Sequence, residues 1–168
     1  MDTQFYKLII SFVANHYCTR LMKKIVFGLS MVVILLSASC KKEFGGLPEN
    51  SWSIAGKTFT AQSVQVSNAS NYISAADGKG STLDFSFKSI PTSNADLTVN
   101  DVAYTNKEIA VRTILSGNIV YNSISSAGTF VLVRVNNGKY TLIANDLKFV
   151  NASNAKDTVL VSTHIVEQ

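Results

Sequence analysis

The stretch TFVLVRVNNGKYTLIANDLKFV, Thr129 to Val150, decides the fold class. Two apolar-rich runs, Thr129–Val135 and Lys139–Val150, flank Asn136-Asn137-Gly138. Asn-Gly is the favoured pair for a tight primed turn, because both central positions need positive φ. The runs therefore read as the arms of an antiparallel hairpin. Val131, Val133 and Val135 alternate on one face, with Phe130 and Leu132 on the other. The first arm is accordingly expected to be a central strand covered on both faces.

The same reading extends outward in both directions. Glu108–Leu115 and Ile119–Ser125 flank the turn residues Ser116-Gly117-Asn118, and Thr158–Val166 forms a last strand. Upstream, Leu97–Val99 and Val102–Tyr104 are separated by Asn100-Asp101. Tyr72–Ala75 and Thr82–Lys88 are joined by Ala76-Asp77-Gly78-Lys79-Gly80-Ser81, with Leu83, Phe85 and Phe87 on one face. The first run is Trp52–Ile54, then a turn at Ala55-Gly56-Lys57, then Thr58–Ser67. Within that last run the apolar phase switches between Ala61 and Val64, which predicts a bulge or bend near Gln62 and Ser63. No segment here carries a helical period. About 8–10 short strands at this spacing predict a single all-β domain over residues 52–168, an antiparallel β-sandwich or a partly open β-barrel.

Charge and cysteine content exclude several function classes. The chain of 168 residues has a formal net charge of +4. Three of those four charges fall before residue 40, where Lys7, Arg20, Lys23 and Lys24 face only Asp2. The remainder is close to neutral and offers no electrostatic case for nucleic acid. The two cysteines are Cys18 and Cys40, so the β region holds none. A disulfide framework, a thiolate metal site and a cysteine nucleophile are thereby excluded from it.

The amino-terminal region has a separate logic. From Met22 the text MKKIVFGLSMVVILLSASC places Lys23 and Lys24 ahead of an apolar run, Ile25–Leu36, and small residues before Cys40. That is the layout of a signal peptide, and the run is too short for a mature spanning helix, which needs about twenty residues. Residues 22–39 are the expected leader, a cleaved signal helix, and 40–51, rich in charge, Gly and Pro48, a flexible tether. Residues 1–21 add a second apolar patch before a complete signal, so translation is expected to begin at Met22.

Leu36-Ser37-Ala38-Ser39-Cys40 resembles the lipobox of bacterial lipoproteins, with Ser37 where that family usually has leucine. The resemblance implies lipidation of Cys40 and cleavage before it. It also implies two or three acyl chains, enough for stable anchoring at roughly 0.8 kcal/mol per buried CH₂. WSIAGKTFTA, over about ten residues, resembles the first hairpin of small all-β lipoproteins of Bacteroidota, and the Cys-Lys-Lys-Glu start resembles the mature amino terminus common in that group. This implies a lipid-anchored cell-envelope protein at the outer membrane, on its periplasmic or its external face. In the same group Asp157-Thr158-Val159 resembles an O-glycosylation acceptor, which nominates Thr158.

Candidate sites within the domain are few. His164 is the one histidine past residue 40, and a lone imidazole builds neither a zinc site nor a triad. Asp77-Gly78-Lys79-Gly80-Ser81 has the glycines of a phosphate loop but not the spacing or the following helix, and reads as a hairpin connection. The carboxylates Asp77, Asp84, Asp96, Asp101, Glu108, Asp146, Asp157 and Glu167 are scattered. Asp96 and Asp101 are the nearest approach to a calcium grouping, and Leu97 and Val99 intervene. No catalytic residue, metal or cofactor is nominated. Trp52, Tyr72, Tyr104, Tyr121 and Tyr140 are the candidates for a ligand-contacting aromatic surface.

Three functions remain in contention. The first is a lipid-anchored, non-catalytic binding or structural module with a glycan, peptide or protein partner. The second is a calycin-like barrel holding a small apolar ligand or inhibiting an enzyme, which needs a cavity lined by Leu, Val and Phe. The third is a carboxylate-based hydrolase, which needs two close carboxylates in a cleft.

Overall fold

The computed structural model describes residues 46–168; the expectations for 1–21, for the leader with Lys23 and Lys24, and for Cys40 lie outside the described residues. Among the described residues eleven strands follow one another: β1 Ser51–Ile54, β2 Lys57–Thr60, β3 Ser63–Ser67, β4 Tyr72–Ala76, β5 Thr82–Phe87, β6 Ala95–Asn100, β7 Glu108–Leu115, β8 Ile119–Ser123, β9 Phe130–Asn136, β10 Lys139–Asn151 and β11 Asn154–Val166. The described residues contain no helix.

Pairing runs β2-β1-β11-β10-β9-β6-β7-β5-β4-β3, and β8 joins β10 to β7. The path therefore closes on itself through β6, β7, β8, β10 and β9, a small closed barrel flanked by two outer sheets. Strand directions cannot alternate all the way round a ring with an odd number of members, so one neighbouring pair must be parallel. That pair is β6 and β7, with Thr98 opposite Glu108 and Asn100 opposite Ala110. Parallel neighbours normally need a long crossover. Here β7 begins beside Thr98, only about 7 Å back along β6 at the usual strand rise, so the loop 101–107 suffices.

Closure leaves a fork. On one edge of β7, β6 covers residues 108–110 and β8 covers 112–115, while β5 runs along the other edge. Val111 sits at the fork, and its N–H donates to Ser123 Oγ at 2.9 Å. The same hydroxyl donates to the carbonyl of Asn100, the last residue of β6, at 2.7 Å. Ser123 is buried because it replaces the ladder bonds that the junction lacks.

Alternation along the strands points Leu97, Val99, Ile109, Val111, Val131, Val133 and Phe149 into one contiguous core with Trp52, Ile73, Leu83 and Phe85. Burying each such side chain stabilises by roughly 1.5–3 kcal/mol. In β10 the inward phase changes from Leu142 and Ala144 to Leu147 and Phe149. The register with β11 shifts between Ala144 and Leu147, and Asp146 takes a φ of 53°. This is a one-residue bulge, and it keeps both halves of a long strand facing the same interior.

Several expectations are corrected. The run 58–67 is not one strand, and of the bulge or bend expected near Gln62 and Ser63 it is the bend that forms: β2 and β3 are the two outer edges of the whole sheet, and the chain crosses between the flanks at Ala61 and Gln62. There Ala61 N–H bonds to Asn50 O at 2.7 Å and Gln62 N–H to Ala76 O at 2.8 Å. Val102–Tyr104 is not a strand; Glu108 Oε2 accepts the N–H groups of Tyr104 and Thr105, curling that segment into a loop. β9 is central in the pairing but fully covered on one face only: on the other, Phe130 is 46 % exposed and Leu132 half-buried. Residues 47–51, expected in the tether, are docked: Asn50 Oδ1 accepts Val166 N–H at 2.8 Å, and Ser51 already belongs to β1.

Candidate functional site: a polar cleft at the sheet corner

The crossing at Ala61 and Gln62 brings β2 opposite the β4–β5 connection. Between them lies a cleft of about 370 Å³, whose walls include Lys57, Thr60, Gln62, Asp77, Lys79 and Ser116. The connection is built around one carboxylate. Asp77 Oδ1 accepts the N–H groups of Lys79 and Ser81, each at 2.8 Å, and Asp77 N–H donates to Ser81 O at 3.0 Å. The anion that this glycine-containing loop cradles is thus its own aspartate. Burial pushes the Asp77 carboxyl up, but the amides of Ser81 and Lys79, the Ser81 hydroxyl and the Lys79 charge outweigh it, so the group stays below its ordinary value.

Two further contacts lock the corner. Gly78 has a φ of 68°, and a Cβ built there would run into Gln62 Oε1 and stand 3.0 Å from its Cδ. Glycine is thus needed both for the left-handed backbone and for the approach of Gln62. Ser116 N–H donates to Ser81 Oγ at 3.3 Å, tying the loop to the β7–β8 turn.

The opposite wall is held from beneath. Lys57 Nζ lies 4.8 Å from the centre of the Phe59 ring, and that ring stacks on Trp52 at 5.3 Å with 9° between planes. A cation over an aromatic face is attracted by the ring quadrupole, which places the ammonium group at the rim of the cleft. Among the described residues the ion pairs are Arg112–Asp84 and Arg134–Asp96, so neither Lys57 nor Lys79 is neutralised by one.

The residues nominated from sequence do not assemble. Trp52 is fully buried, because its large ring is the floor of the Phe59 stack, and it is not a surface contact. Tyr121 and Tyr140 lay their rings on the core. Tyr72 lines a second shallow cleft on the outer face of β4 and β5, and Tyr104 is 65 % exposed on the loop 101–107. Thr158 is exposed on β11, opposite Val150. His164 is half-buried, with Nδ1 3.4 Å from Leu47 O, where the chain enters the fold.

The carboxylates are each engaged separately. Asp84 accepts from Ser74 at 2.6 Å and Arg112 at 3.2 Å, and Asp96 accepts from Arg134 at 2.7 Å. Asp101 caps Val102 N–H, Glu167 accepts Tyr140 N–H, and Asp146 lies 3.5 Å from the Ser162 hydroxyl. Asp157 Oδ2 accepts Asn151 Nδ2 and the Tyr121 hydroxyl; these bonds, Asn151 first, hold its carboxyl below the usual value, while the Tyr121 hydroxyl is raised chiefly by Asp157. Among the described residues no three His, Cys, Asp or Glu side chains are grouped to hold a metal.

The corner cleft was missed from sequence. Lys57 reads as a turn residue and Gln62 as part of a bulge or bend, and only pairing at a distance shows that they line one cleft with Lys79. No protein-family model, curated protein or solved structure matches the chain.

Proposed function

We propose that the protein is a lipid-anchored lipoprotein of the cell envelope whose β domain is a non-catalytic binding module, with the corner cleft as its ligand contact. The observation that carries the binding half is the state of Asp77. This carboxylate of the cleft is already engaged by two amides and a hydroxyl and stays ionised at neutral pH, so it has no proton to give. What faces the opening instead is a set of hydrogen-bonding groups, Lys57, Thr60, Gln62, Lys79 and Ser116. Such groups orient a ligand without reacting with it. A hydrolase would want two carboxylates converging, and an apolar-ligand barrel would want its Val and Leu lining to enclose a cavity, whereas here those side chains pack on one another.

The anchoring half rests on the run from Met22 to Cys40. Lipid on Cys40 would hold the domain at the outer membrane, and Thr158, exposed beside Asp157, would be open to glycosylation. In cells carrying Cys40→Ser, the precursor is expected to remain unlipidated and uncleaved at that position. A Cys40→Ser protein that matures at the same residue and carries the same acyl mass by mass spectrometry would refute anchoring through that sulfur.

A further inference from the structure

The chemistry of the cleft narrows its ligand, and this step rests on the binding reading above. Two ammonium groups, Lys57 and Lys79, stand on its walls with one buried carboxylate, Asp77, so the lining carries one net positive charge. Asp77 Oδ1 is held by the loop amides, and its charge offsets part of that of Lys79 beside it, so the wall as a whole presents a single positive charge. A single-charged anion balances that wall. A dianionic phosphate would leave one negative charge in excess there, and no arginine is among the described residues that line the cleft to grip it bidentately.

The rest of the wall is unlike that of a bare anion site. Gln62, Thr60 and Ser116 each offer both donors and acceptors, which suits a ligand dense in hydroxyl groups. The volume, about 370 Å³, is at the small end of the usual range for sites of small molecules, roughly 300–1,000 Å³. Parts of the wall are set before any ligand arrives: Lys57 is drawn over the Phe59 ring, and the loop 77–81 is closed on Asp77 by the amides of Lys79 and Ser81. Preorganised side chains lose little entropy on binding. We infer that the corner cleft binds a carboxylate-bearing saccharide, a uronic acid unit within a glycan, with the carboxylate between Lys57 and Lys79 and the ring hydroxyls on Gln62, Thr60 and Ser116.

The test is a titration of the detergent-solubilised, isotope-labelled full-length protein with digalacturonate, neutral digalactose, inorganic phosphate and an acidic peptide, read from backbone amide shifts. Digalacturonate is expected to shift the amides of 57–62, 77–81 and Ser116 saturably, with digalactose and phosphate at least about tenfold weaker. Lys79→Gln, and separately Lys57→Gln with Lys79→Gln, should weaken digalacturonate about tenfold or more while Trp52 fluorescence reports an intact fold. The inference is overturned if digalactose or phosphate binds as tightly, if the acidic peptide binds there more tightly, if the variants bind unchanged, or if no cleft amide moves. Peptide binding at the same amides would leave the binding module standing and remove only its saccharide; silence from every ligand at the cleft would remove the cleft's role in both, leaving the Cys40 experiment to decide anchoring.

Discussion

Gly78 and Gln62 show how a single position couples fold to site. With a φ of 68° and Gln62 Oε1 in the space a Cβ would take, Gly78 admits no side chain without strain. Gly78→Ala is expected to cost about 1–3 kcal/mol, the range for a non-glycine residue in a sparsely populated backbone region. Part of that cost comes from displacing Gln62, the flexible partner. The same substitution in a Gln62→Ala background should therefore cost less, by about 0.5 kcal/mol or more. Denaturant unfolding followed through Trp52, the one tryptophan of the chain, measures both. Equal costs in the two backgrounds would show that Gln62 contributes nothing to the constraint.

Among the elements, the junction of β6, β7 and β8 depends on one hydroxyl. Ser123→Ala would remove the hydroxyl that accepts from Val111 N–H and donates to Asn100 C=O at the fork. A buried backbone group without a hydrogen bond costs about 1–3 kcal/mol, so a loss of that order is expected, with faster amide exchange localised to Val111. Unchanged protection of Val111 would show that the ring does not need this bridge. The primed turn at Asn137-Gly138, with φ values of 51° and 77°, and the strand β7 were both legible as local chemistry. The bulge at Asn145-Asp146 left a signal that sequence reading passed over: the apolar phase slips by one between Ala144 and Leu147. At Gln62 and Ser63 the phase slip marks a bend, one of the two readings the sequence allows there, and what the sequence does not tell is that the bend carries the chain to the far edge of the sheet. A phase slip records that the chain turns, while its destination depends on which distant strand accepts the next backbone bonds.

For the whole molecule, the carboxylates set an acid limit. Burial raises Asp77 and Glu108, but in each the hydrogen bonds prevail and the net direction is down; Asp157 is lowered by Asn151 and Tyr121. A carboxyl lowered in the folded state binds its proton more readily when unfolded. Its contribution is complete above the unfolded value, near 4, and disappears as pH falls through the lower folded one. The melting temperature is expected to be flat from about pH 5 to 8 and to drop below about pH 4. Asp77→Asn should flatten part of that drop. Tyr121 has the opposite sense: its hydroxyl is raised, so its contribution holds below the unfolded value near 10 and fades as pH rises through the folded one. A melting curve that stayed level down to pH 2 would contradict these assignments.

Hydrophobic alternation and turn chemistry, properties of neighbours in the chain, were enough to determine that this protein is all-β, where most of its strands lie, and that the Asn137-Gly138 hairpin forms. The closed ring, the single parallel pair, the docking of residues 47–51 and the cleft between Lys57 and Lys79 were decided only in three dimensions. Each depends on which strand edges meet. Backbone N–H and C=O groups are the same in every residue, so edge choice is made by the fit of the completed core and leaves little mark on local sequence.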